Sequence, residues 1–106
     1  MQTRIHTLAE ILESAEDYSW NRAVYVAGEY PWSASTIAAV LDADEVEDAE
    51  KQPALVKQYN LQYALDIETA QDIVETARQQ NPSLNIQILV DSFNYYWKYD
   101  AFLLLT

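Results

Sequence analysis

The amino-acid sequence predicts a single α+β domain over residues 1–106, a small and mostly antiparallel sheet packed by three to four helices in the order α-β-β-(α)-β-α-α-tail. Three observations predict it. A chain of 106 residues, half of them hydrophobic, buries one core and has no room for two domains. Its apolar residues recur at helical spacing in some segments and crowd into short β-branched runs in others, so helices and strands both occur. One Gly and three Pro leave few special turns, and there is no flexible linker or internal repeat.

The elements follow in order. Thr7 and Glu10 stand at capping-box spacing, and Leu8, Ile11, Leu12 and Ala15 form one helical face, which predicts a helix over Leu8–Ala15. Glu16 and Asp17 oppose the macrodipole and stop it. Ala23–Ala27 concentrates β-branched and aromatic residues and predicts a strand. A turn through Gly28–Ser33 then leads to a second, antiparallel strand over Thr36–Leu41, whose paired alanines leave a helix as the alternative. Asp42–Glu50 is acidic and lacks an apolar face, so it reads as a solvated loop. Pro53 suits the first turn of a short helix over Ala54–Tyr59. A third short strand is expected at Tyr63–Leu65. Asp66 then caps a helix with Ile67, Ala70, Ile73, Val74 and Ala77 as its buried stripe, ending near Gln80 before Asn81-Pro82. Ser83 caps a last helix in which Ile86, Leu89, Val90, Phe93 and Trp97 face the core. The apolar tail Ala101–Leu105 packs as a final strand or extended segment.

Charge narrows the function classes. Six Lys+Arg against 17 Asp+Glu give 6 − 17 = −11. Such a field repels nucleic acid and anionic membranes and draws in basic surfaces. The absence of Cys removes disulfides and thiolate metal sites. No run approaches the roughly 20 apolar residues of a membrane span, and Glu10, Glu13 and Glu16 interrupt any signal core, so the expected location is the cytoplasm.

Catalytic parts are scarce. His6, the single His, reads as a surface residue near the N-terminus, and Ser33, Ser35, Ser83 and Ser92 lie in no nucleophile-elbow context. Asp42–Glu47 opens like a calcium loop, yet Glu47 stands where the sharp turn needs Gly, and Pro53 stands where a bidentate Glu belongs. A single Gly excludes a phosphate loop. No enzyme activity, cofactor or metal is therefore expected. Aromatics are plentiful, with eight Tyr and three Trp. Tyr95 and Tyr99, four apart on the last helix, share an outer face if Phe93 and Trp97 point inward. The alternative is that Phe102–Leu105 pack over them. Trp20, Tyr30 and Trp32 flank the first strand, and Trp32 is the candidate exposed anchor, unless it seals a core edge beside Pro31.

Further residues carry a family resemblance. Tyr63-Ala64-Leu65-Asp66-Ile67, Gln71-Asp72-Ile73-Val74, Phe93-Asn94-Tyr95-Tyr96-Trp97-Lys98 and Asp100-Ala101-Phe102 resemble a family of short acidic bacterial proteins of unknown function. Its members look like the small immunity proteins encoded beside bacterial toxins, such as those of contact-dependent growth inhibition. The resemblance implies no catalytic residue. It does imply a basic partner, a toxin domain such as an RNA-cutting nuclease, whose positive cleft an acidic patch covers. The expected partner-binding residues are Asp42, Asp44, Glu45, Glu47, Asp48 and Glu50, aided by Trp32 and Tyr30, with Tyr95 and Tyr99 as further anchors. Three other readings stand beside it. One is an acidic domain without a toxin partner, kept soluble by its charge. Another is a nucleic-acid mimic, which would spread its carboxylates over an extended face. The third is an enzyme or ligand-binding domain with two carboxylates of raised pKa in a cleft.

Overall fold

A computed structural model describes residues 4–105 of the chain. The elements are β1 (His6–Thr7), α1 (Leu8–Glu13), a 3-10 turn (Ala15–Asp17), β2 (Ala23–Ala27), β3 (Ile37–Leu41), α2 (Ala43–Glu47), α3 (Ala54–Gln58), β4 (Leu61–Asp66), α4 (Ile67–Gln80) and α5 (Ile86–Tyr99). The strands form one antiparallel sheet in the order β1-β3-β2-β4. The α+β class and the antiparallel β2–β3 pair are as the sequence predicts. No helix among the described residues is long and apolar enough to cross a membrane.

Strand alternation sorts the sheet into two faces. Val24, Val26 and Ala38 point into the main core, where α1, α4 and α5 bring Leu8, Ile11, Leu12, Ile67, Ile73, Val74, Val90 and Phe93. Ala23, Tyr25, Ala39 and Leu41 point the other way into a second, smaller core, closed by Val56, Leu61 and the partly buried Val46, Leu55 and Tyr59. The molecule is therefore three layers deep: long helices, sheet, and the short helices α2 and α3.

Local sequence accounts for most boundaries. The capping box of α1 forms in full: the Glu10 N–H donates to Thr7 Oγ1 (3.2 Å) and the Thr7 N–H donates to Glu10 Oε1 (2.8 Å). This helix ends at Glu13 rather than Ala15. The Ser14 hydroxyl donates to the Glu10 carbonyl (2.8 Å), and the chain tightens into the 3-10 turn. Asp66 caps α4 by accepting the Thr69 N–H (2.7 Å), and the predicted stripe of α4 is buried in full.

The structure departs from four expectations and decides between the two left open for the tail. Asp42–Glu50 is not all loop, because Asp42 caps α2 by accepting the Asp44 N–H (2.9 Å) and Val46 anchors this turn on the second core. Ser83 does not cap the last helix. It is used in a turn in which its N–H donates to Asn81 Oδ1 (3.1 Å), and Asn85 caps instead, accepting the Ile88 N–H (3.1 Å). Trp97 does not enter the core; it lies on Trp32 and Tyr30 and is 42% exposed. The tail takes the second of its two expected forms, packing without strand pairing: Leu105 lies against the main core, and Gln80 holds the segment by donating to the Leu103 carbonyl (3.0 Å) and accepting the Leu105 N–H (2.8 Å). His6 is half-buried and paired with Ala38 in β1, a two-residue strand with no periodicity for the sequence to display.

Candidate partner-binding surface

The acidic segment is built onto the sheet. Its first residue, Asp42, follows β3 directly and is tied to Arg22 before β2 by an ion pair of 3.3 Å. Glu45 pairs with Arg4 at 3.9 Å. Asp48 ends α2 and turns the chain: its carboxylate accepts the Glu50 N–H (2.9 Å), and its carbonyl accepts the Lys51 and Gln52 N–H groups (3.0 and 2.8 Å). Gln52 reaches back to donate to the Val46 carbonyl (2.8 Å). Three of the six acids are thus engaged in holding the segment, and Asp44, Glu47 and Glu50 are exposed.

The aromatic residues expected beside these acids lie elsewhere. Ala23 pairs with Leu41 and Val26 with Ala38, so Asp42 leaves one end of the β2–β3 hairpin while Tyr30 and Trp32 occupy the turn at the other. Trp32 is no exposed anchor: it is 5% exposed and belongs to the main core. Its backbone is bracketed by Asn94, whose Oδ1 accepts the Trp32 N–H (3.0 Å) and whose Nδ2 donates to the Trp32 carbonyl (2.8 Å). The Trp32 indole N–H donates to the carbonyl of Gly28 (3.1 Å), whose φ of +81° suits glycine at this turn. Half-buried Tyr30 stacks on Trp97 with ring centroids 5.1 Å apart and 20° between planes.

Tyr95 and Tyr99 do share a face of α5, with centroids 4.6 Å apart, and Tyr99 is 55% exposed. Lys98 sits between this pair and the hairpin turn, its Nζ 5.3 Å from the Tyr99 ring and 5.8 Å from Tyr30. The aromatic end of α5 therefore carries a cation and lies on the long-helix layer, away from α2. Position separates it from the acidic segment, and its one cation stands beside Asp100 at the helix end.

The aromatic that neighbours the acids is one that the sequence presents only as part of a strand. Tyr63 on β4 is 52% exposed and meets Tyr25 edge-on at 5.7 Å. Burial holds the Tyr25 hydroxyl above its usual pKa, and the negative charges of Glu47, then of Asp42, add to the effect. Tyr63 is raised too, by burial and then by Asp66. Asp42 and Glu47 thus lie near the buried Tyr25, whose ring meets exposed Tyr63 edge-on, and Asp66 stands three residues on from Tyr63 on the same strand. The available signal was parity: Tyr63 stands two residues after Leu61 and shares its face, opposite Tyr25 of the neighbouring strand.

Among the described residues no group of three His, Asp or Glu gathers in metal-holding geometry. The surface offers hydrogen-bond acceptors, negative charge and one exposed phenol ring, that of Tyr63, the chemistry of recognition of a cationic protein.

A family model described as a domain of unknown function (DUF7716) matches residues 5–105. That match spans nearly the whole chain, and the chain belongs to this family. No curated protein and no solved structure matches it.

Proposed function

We propose that this family member is a protein-binding inhibitor, an immunity protein of the cytoplasm that neutralises a basic toxin domain by covering its active site, and that it catalyses nothing itself. One observation carries the reading. The densest acidic segment is folded and pinned at both ends, so Asp44, Glu47 and Glu50 are held exposed, with exposed Tyr63 on a neighbouring strand. Val46 orders the segment by packing on the second core, and a docking surface ordered before contact gains affinity. A nuclease cleft that binds phosphates is positive, and carboxylates beside an aromatic ring complement it. The concentration of charge in one segment disfavours the nucleic-acid mimic, which needs an extended acidic face.

The test is titration calorimetry between the chain and the basic protein encoded beside it. Replacing Asp44, Glu47 and Glu50 together by Asn, Gln and Gln leaves Asp42, Glu45 and Asp48 to hold the fold. Affinity is expected to fall about tenfold, as three solvent-facing charge contacts are lost, and the salt dependence of binding to flatten. Unchanged affinity and salt slope, or a neighbour that does not bind the unaltered chain, sinks the proposal.

A further inference from the structure

β4 ends the sheet order and pairs with β2 alone among the described residues. An edge strand turns alternate backbone N–H and C=O groups away from its one neighbour, and these pair readily with an extended chain laid alongside. Proteins that keep such an edge closed place Lys or Pro on it. β4 reads Leu61-Gln62-Tyr63-Ala64-Leu65-Asp66 and has neither. Its protective device is a bulge: Val24 pairs with Leu65 and Tyr25 with Tyr63, so Ala64 has no partner of its own. The bulge leaves the Leu61–Tyr63 half regular, with each residue paired in turn to Ala27, Val26 and Tyr25. Gln62 and Tyr63 on that half are exposed.

We propose that β4 receives an extended Lys- or Arg-bearing segment of a partner protein as a fifth strand. The inference rests on the partner-binding reading above and specifies how contact is made. Charge complementarity selects the occupant. The open edge itself carries Asp66 at the strand end, and Glu47 and Asp42 lie one strand further in, near Tyr25 on the same sheet face. Side chains of an added strand alternate between sheet faces, so every second residue lies on the face of Tyr63 and the acids, where a cation is favoured. A second copy of this chain is the obvious rival, since two edges of one kind pair readily, but it brings a net charge of −11 against −11.

The probe is a blocked peptide of about eight residues, alternating Lys and Val, long enough to run the length of β4. Two further peptides of the same sequence carry N-methyl groups on the odd or on the even residues, so that each has one hydrogen-bonding edge blocked. With the intact chain, the parent peptide is expected to slow amide exchange within 61–66, and a Glu/Val peptide to leave it unchanged. Methylation of one set should weaken binding on the order of a hundredfold, about three main-chain bonds lost at roughly fivefold each, while the other set binds like the parent. Equal binding of both methylated peptides overturns strand addition and leaves the acidic-surface reading standing. Set-specific loss combined with an indifferent Asp44/Glu47/Glu50 variant does the reverse. No binding of the parent peptide, or a dimer of the free chain with protected β4 amides, overturns the choice of occupant.

Discussion

Asn94 does at the scale of one residue what a strand pair does over several: it satisfies both backbone groups of Trp32 across 62 positions of sequence. Both residues are buried, so Asn94→Ala would leave an N–H and a C=O without partners in the core. The expected cost is about 2–4 kcal/mol, measured by urea unfolding, because each orphaned group costs its own desolvation. The capping box at Thr7 and Glu10 gives a second prediction, in pH. Hydrogen bonds from Thr7 hold the Glu10 carboxyl below its usual pKa, with a smaller contribution from the charge of His6. A depressed folded-state pKa stabilises fully above the ordinary Glu value of about 4.3 and fades as pH falls through the folded value. Glu10→Gln should therefore be less stable than the parent chain at neutral pH, and the two unfolding midpoints should converge in acid. Thr7→Ala removes the cap itself and should cost about 1 kcal/mol.

Elements with caps and stripes of their own were legible in the sequence. α4 is the clearest case: Asp66, the five buried positions and the Asn81-Pro82 stop are all local and all realised. β2 was legible because its residue types are. What stayed hidden depends on partners distant in sequence. β1 exists only through pairing with β3, and α2 only because Val46 finds the second core. Trp97 fits the apolar stripe of α5, but Trp32 has filled the space it would enter. The acidic part of the candidate site was legible from composition. Its aromatic part was misassigned, since nothing local reveals that the hairpin puts Trp32 and Asp42 at opposite ends. The tail carries a prediction of its own. Gln80→Ala removes the bonds to the Leu103 carbonyl and the Leu105 N–H, so the Leu105 amide should exchange faster and the tail should be clipped sooner by protease, while the global unfolding midpoint moves little.

For the whole molecule, charge matters most. Ion pairs engage Arg4, Arg22 and Arg78, all at least partly exposed, and such pairs contribute little to stability. A net charge of −11 repels itself in the compact state more than in the open chain. Raising ionic strength from about 0.01 M to about 0.15 M shortens the screening length from about 30 Å to about 8 Å, and the melting temperature should rise with it. The same addition of salt should weaken binding to a basic partner, so stability and affinity move in opposite directions along one axis.

The three tryptophans occupy three settings, and this makes the chain its own optical probe. Trp32 is sealed in, Trp97 is half-covered against Tyr30, and Trp20 is 74% exposed on the segment before β2. Iodide, an anion that the acidic surface holds off, should quench Trp20 first and Trp32 last, whereas neutral acrylamide reaches Trp97 on nearly equal terms. Single-tryptophan variants with Phe at the other two positions would then separate core melting, read at Trp32, from any contact made at the end of α5, read at Trp97. A partner docked along β4 should leave both signals unchanged, whereas one docked at the end of α5 should alter that of Trp97.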